Sequence, residues 1–211
     1  MPPTTRGGSV RSRTAELTAC ADSAATCTRC DLYRGATQTV FGEGRAGAAV
    51  MLVGEQPGDR EDVAGHPFVG PAGVLLSAAL ETAGIDRDDA YVTNAVKHFK
   101  FERRGKRRIH KKPGVAEVEA CHVWLEDEIR LVEPRVVVCL GATAARAVLG
   151  RPVTIHRVRG QVLDGPGDVA AVVTIHPSAV LRARDDAERS ALRQGLVHDL
   201  VVAAEVADGD G

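Results

Sequence analysis

No apolar run in the 211-residue chain approaches the roughly 20 residues of a membrane-spanning helix, so no membrane association is expected. The opening residues, MPPTTRGGSVRSRT, lack the apolar stretch of a secretory signal, and the reading is a cytoplasmic protein with a disordered tail over 1–14. A charge excess of either sign is missing as well. With 27 Lys and Arg against 28 Asp and Glu, the formal net charge of −1 excludes a generally basic coat, so any positive field belongs to one place. Five cysteines, an odd number, argue against a disulfide framework and for metal ligation or buried thiols. Internal repeats and low-complexity segments are absent. The remaining length, 15–211, fits one domain that can bury a substantial core without staples and is expected to be a monomer.

The charge that is present concentrates in one stretch. Lys97 to Lys112, KHFKFERRGKRRIHKK, holds nine Lys or Arg, one acid, two phenylalanines and two histidines. Cations interleaved with aromatics suit a phosphodiester backbone, whose affinity comes mainly from Lys and Arg displacing counterions, so nucleic acid is the first candidate partner. A solvated basic loop without a ligand has the same composition.

Apolar runs of buried-strand length occur at 48–53, 91–94, 135–140 and 169–175, with helical periodicity between them over 74–83, 115–131, 141–149 and 187–205. A short helix over 15–30 runs into Cys27-x-x-Cys30, a spacing that seats two thiolates on one metal or cluster. Strands alternating with helices predict an α/β fold, a three-layer α/β/α sandwich with a mostly parallel central sheet of about four strands. The GEGRAG segment at 42–47 matches the dinucleotide fingerprint GxGxxG but precedes its strand, so it reads as a turn. In a parallel sheet, Glu55, Asn94 and His176 follow strand carboxyl ends and gather with the basic loop on one side.

GEQPGDRED (54–62), HPFVGPAG (66–73), YVTNAVKH (91–98), LGATAA (140–145) and HPSAVLR (176–182), in this order, resemble the uracil-DNA glycosylase superfamily, closest to its iron–sulfur family 4. KRRIH, 106–110, resembles the loop of the UdgX-type members. The resemblance implies that Phe68 stacks on an extruded uracil, that the Asn94 amide reads its edge, and that the Gln56–Gly58 turn touches the base. These roles match what base extrusion needs: an aromatic platform and a side chain that both donates and accepts. Breaking the C1′–N bond develops positive charge on the sugar and negative charge on uracil. By resemblance His176 donates toward uracil, and Glu55 and Asp59 supply carboxylate. Ser178 and Arg182 hold phosphate, Lys106 and Arg107 bind DNA, and Arg108 packs the loop or contacts phosphate.

The family's cluster ligands map onto Cys27, Cys30 and Cys121, while His98 stands where the third cysteine is expected. Imidazole is a sound substitute, so a 4Fe-4S cluster on Cys27, Cys30, His98 and Cys121 is expected, although zinc accepts the same Cys₃His set. Cys20 and Cys139 read as spectator thiols. Three functions follow: excision of uracil from DNA, single-stranded DNA included, with covalent capture of the abasic product by His110; conventional turnover with water; and cluster-bearing nucleic-acid binding without chemistry.

Overall fold

A computed structural model describes residues 9–209. Its centre is a five-stranded sheet in the order β2-β1-β5-β7-β6, built from β1 (Val50–Gly54), β2 (Tyr91–Asn94), β5 (Val136–Leu140), β6 (Val162–Asp164) and β7 (Ala170–Thr174). Four strands run parallel, and β6 pairs antiparallel with β7 at the edge. The sheet therefore has one strand more than the sequence indicates. β6 is three residues long and mostly exposed, so it carries no buried apolar run to announce it.

β1 and β5 are buried along their whole length because both sheet faces are covered, and alternation sorts their side chains between two cores. Met51, Val53, Val137 and Cys139 face a cluster with Leu17, Val118, Leu125 and Val148, from α1 (Val10–Ala24), α4 (Val115–Val132) and α5 (Ala142–Leu149). Val50, Leu52, Val136 and Val138 face Leu76, Leu80, Leu196 and Leu200, from α3 (Pro71–Thr82) and α8 (Asp186–Asp208). This is the expected three-layer sandwich.

Some boundaries differ from the sequence reading. α1 begins at Val10 under a Ser9 cap, so the expected tail over 1–14 is helical from residue 10, and residues 1–8 lie outside the described part. The helix stops at Ala24 rather than continuing to Cys30. The acidic run after β1 is the helix α2 (Asp59–Ala64), with a single-turn α6 (Ile155–Val158) and α7 (Ser178–Leu181) further on. Most consequential, the basic stretch holds a two-stranded hairpin, β3 (Phe101–Arg104) and β4 (Arg107–His110), which pairs Phe101 with His110 and turns at Gly105-Lys106. Among the described residues no helix is long and apolar enough to cross a membrane.

Candidate active site

Because β1, β2, β5 and β7 are parallel, the residues that follow them emerge at one edge. There a cavity of about 740 Å³ is lined by Glu55, Gln56, Asp59, His110, Thr143, His176, Ser178 and Arg182 among others. The convergence of Glu55, Asn94 and His176 on one side thus follows from topology alone.

Phe68 and Asn94 meet over the last residue of β1. A Cβ at Gly54 would strike Asn94 Oδ1 and lie 2.7 Å from the Phe68 ring, so only glycine lets both side chains close on this point. The Phe68 ring lies nearly parallel to His176, at 6.1 Å between centroids and 27° between planes. Phe68 holds φ of 56°, a left-handed conformation unusual for an aromatic. Its carbonyl passes where a side chain on residue 73 would be, and Gly73 leaves that space open. Glu61 fixes the same loop, accepting from Gly58 N at 3.0 Å and from Gly70 N at 2.6 Å.

Burial lowers the His176 pKa to about 4, with smaller contributions from the charges of Arg182 and His110. Its Nδ1 accepts from Ser178 N at 3.2 Å and lies 2.8 Å from Ser178 Oγ, which itself accepts from Arg182 Nη1 at 2.9 Å. With Nδ1 accepting, the ring proton sits on Nε2. His176 is a neutral donor, suited to a developing anion. Ser178 and Arg182, expected at phosphate, also orient this imidazole, and the Arg182 side chain remains exposed.

The hairpin is latched beside the cavity from two sides. Arg108 donates from Nε to Asp59 Oδ1 and from Nη1 to the fully buried Asp62, both at 2.5 Å, and its guanidinium lies 5.5 Å and 5.1 Å from the centroids of the Phe99 and Phe101 rings. At the hairpin's base the Gln56 amide donates to Lys100 O and Lys111 O and accepts from Lys100 N. Of the two roles expected for Arg108, these contacts display the packing of the loop, and the Gln56 side chain joins it in holding the hairpin, which leaves the Gln56 backbone for a ligand. The latch turns β4 so that His110 Nε2 stands 3.5 Å from Glu55 Oε1 at the cavity wall, with Phe99 6.1 Å away.

The basic stretch is divided by burial. Lys97 is fully buried, donating to Glu128 Oε2 at 2.5 Å, Thr93 Oγ1 at 2.6 Å and Asn94 O at 2.7 Å. Glu128, also fully buried, accepts in addition from Tyr91 OH and Gly42 N. Lys97 therefore supports the backbone of Asn94 and contributes nothing to a DNA face. Lys100 pairs with Glu117 and Lys111 with Glu102. Lys106 and Arg107, at the hairpin tip, are exposed and free to meet an anion.

The four expected ligands lie where α1, the segment after β2, and α4 meet. Trp124 Nε1 donates to Cys27 Sγ and Lys97 N to Cys121 Sγ, each at 3.2 Å. Burial pushes the Cys121 thiol up to about 11, against the lowering effect of Lys97, and the Cys30 thiol is also raised chiefly by burial. Thr39 Oγ1 donates to Ala24 O and so accepts from His98 Nε2, 2.9 Å away, which leaves the His98 Nδ1 lone pair free. Ligating histidines are oriented by this kind of second contact. Among the described residues no three His, Cys, Asp or Glu side chains stand close enough to share one ion. A four-iron cluster asks for wider spacing, since each ligand meets a different iron. The donor types fit such a group, and the sulfurs already have N–H donors.

Sequence reasoning missed Lys97 and Glu128 as a buried pair, Asp62 as the hairpin's anchor, and Thr143, whose hydroxyl donates to Glu55 Oε2 at 2.5 Å. For Lys97, the signal was its position three residues after Asn94 within a helix-free turn, but a cation run masks a buried member. For the others, only tertiary pairing exposes the role.

A family model described as the Uracil DNA glycosylase superfamily matches residues 41–201. The chain is 40% identical over 161 residues to the Type-4 uracil-DNA glycosylase of Thermotoga maritima, covering 76% of this chain and 80% of that protein. It is 38% identical over 163 residues to the Type-4 uracil-DNA glycosylase of Pyrobaculum aerophilum, covering 74% and 80%. A Type-5 uracil-DNA glycosylase of the same organism is 33% identical over 155 residues, covering 64% and 63%.

Proposed function

The chain belongs to the uracil DNA glycosylase superfamily, and from that premise we propose that it excises uracil from DNA, single strands included, and is captured on the abasic sugar by His110, as a UdgX-type member. The observation that carries the capture step is the latched hairpin, which holds His110 Nε2 3.5 Å from Glu55 Oε1 at the cavity wall.

In this reading Phe68 stacks on the extruded base and Asn94 reads its edge, with Lys97 steadying the Asn94 backbone from below. The C1′–N1 bond breaks with its electron pair leaving on uracil, and His176 Nε2–H donates to the anion that develops. Glu55 stabilises the cationic sugar. A lone pair of the His110 ring then forms a bond to C1′, and the proton released from the resulting imidazolium ends on uracil, so charge and atoms balance. Asp59 acts through Arg108 on the hairpin. Lys106, Arg107 and Arg182 meet phosphate, and the protein acts as a monomer. Cys27, Cys30, His98 and Cys121 would hold a 4Fe-4S cluster, which when bound supplies a rigid tie between α1, α4 and the segment below Asn94.

A second reading, turnover with water, draws on the relatives' names and on the half-exposed state of His110, which leaves water a path to C1′. One experiment separates the readings. Incubation with a uracil-containing oligonucleotide, followed by denaturing electrophoresis, should give a band shifted by the mass of the protein. An unshifted strand cleaved by alkali would replace capture with turnover, and an intact strand would sink excision altogether.

A further inference from the structure

Thr143 lies in the first turn of α5 and is only 6% exposed. Helical threonines elsewhere in the chain return their hydroxyls to a carbonyl one turn earlier: Thr14 to Val10 O, Thr18 to Thr14 O and Thr82 to Ala78 O. Thr143 instead reaches across to another element, donating to Glu55 Oε2 at 2.5 Å. The other oxygen, Oε1, is the one that faces His110 Nε2. A carboxylate following a strand end can rotate about its last bond and exchange its two oxygens. A buried donor on one of them removes that freedom.

We propose that Thr143 is a positioning residue for the reaction, holding Glu55 by one oxygen so that the other is presented to His110 and to the sugar. The inference rests on the excision reading and extends it to Thr143, a residue to which that reading gives no role. α5 begins beside Glu55, so the helix that carries Thr143 also abuts the carboxylate it holds.

The test uses the full chain and single-turnover uracil release from a labelled oligonucleotide. Thr143→Val keeps the shape and removes the donor; Thr143→Ser keeps the donor. A hydrogen bond to a charged group is worth about 1.5–3 kcal/mol, so Thr143→Val should slow release by roughly tenfold or more and lower Tm by a few degrees, with the chain still folded at the assay temperature and its affinity for uracil-free DNA little changed. Thr143→Ser should restore most of the rate. On a Glu55→Gln background, Thr143→Val should add no further loss, because the group it positions is already altered. Wild-type rates in Thr143→Val, losses that multiply in the double variant, or a loss tracking unfolding and not rescued by Ser would each overturn the proposal. A wild-type chain that releases no uracil would overturn the excision reading as well, so the two failures are told apart by the wild-type lane.

Discussion

His110 and His176 are both imidazoles at one cavity, and their surroundings assign them opposite tasks. His176 is buried, its Nδ1 is filled by Ser178, and only a neutral N–H remains to donate. His110 stands on a hairpin edge, half exposed and facing the Glu55 carboxylate, as the proposed attack on the sugar requires. His110→Ala should abolish the heat-stable adduct on denaturing gels while leaving the rest of the pocket intact, so that water enters and uracil is released with slower turnover. Persistence of the adduct in that variant would refute His110 as the nucleophile. The low His176 pKa also has a thermodynamic consequence. Between about 4, its folded value, and the ordinary histidine value of about 6.5, the unfolded chain binds the proton and the folded one does not. Stability from this group is complete above the unfolded pKa and is lost as pH falls through the folded one. Tm measured across that window should fall with acid, and fall less in His176→Asn.

At the scale of elements, the hairpin decides what the basic stretch does. Composition makes its cations look alike, but pairing divides them: Lys97 and Arg108 face inward to Glu128, Asp59 and Asp62, and Lys106 and Arg107 face solvent at the tip. Arg108→Ala leaves the buried Asp62 without its cation and frees the hairpin from α2, a loss on the order of 3 kcal/mol for breaking such a pair. Proteolysis should then cut within 101–110 much faster than in the wild type, and adduct formation should fall more than DNA affinity does. Lys106→Ala and Arg107→Ala should do the reverse, weakening binding to all sequences and reducing the salt slope by about 0.7 per lost contact on single strands. Identical profiles for the two classes of variant would show that the inward and outward cations are not distinct. This division was invisible in sequence because a charge run carries no mark of which members meet a buried acid.

Across the whole molecule, the ligand set, the buried Lys97–Glu128 pair and Asn94 form one connected path: Lys97 N meets Cys121 Sγ and Lys97 Nζ meets Asn94 O. Loss of one of the proposed cluster ligands should therefore reach β2, which carries Asn94, as well as local stability. Cys27→Ser, Cys30→Ser and Cys121→Ser should bleach the protein, lower its iron content and lower Tm, as read by visible absorption, metal analysis and melting. Cys20→Ser and Cys139→Ser should keep colour and iron. Cys139 is fully buried on β5 among apolar side chains, and Cys20 Sγ is directed to Asp127 Oδ2, so both are committed elsewhere. Colourless wild-type protein with stoichiometric zinc would replace the iron–sulfur assignment.

The sequence by itself determined the layers and the edge at which chemistry gathers. Val50–Val53, Tyr91–Asn94, Val136–Leu140 and Ala170–Thr174 are mostly apolar and buried on both faces, as a covered parallel sheet requires, and parallel strands put their following residues on one side. It also placed Phe68, Asn94 and His176 through ordered motifs. Tertiary structure alone decided that the basic stretch folds into a hairpin, that Arg108 and Gln56 fasten it, and that Thr143 holds Glu55. The physical reason is range. Strand and helix periodicity is a property of neighbours in sequence, whereas Gln56 with Lys111, Arg108 with Asp62 and Thr143 with Glu55 are hydrogen bonds across 55, 46 and 88 residues, whose partners exist only once the sheet has brought them together.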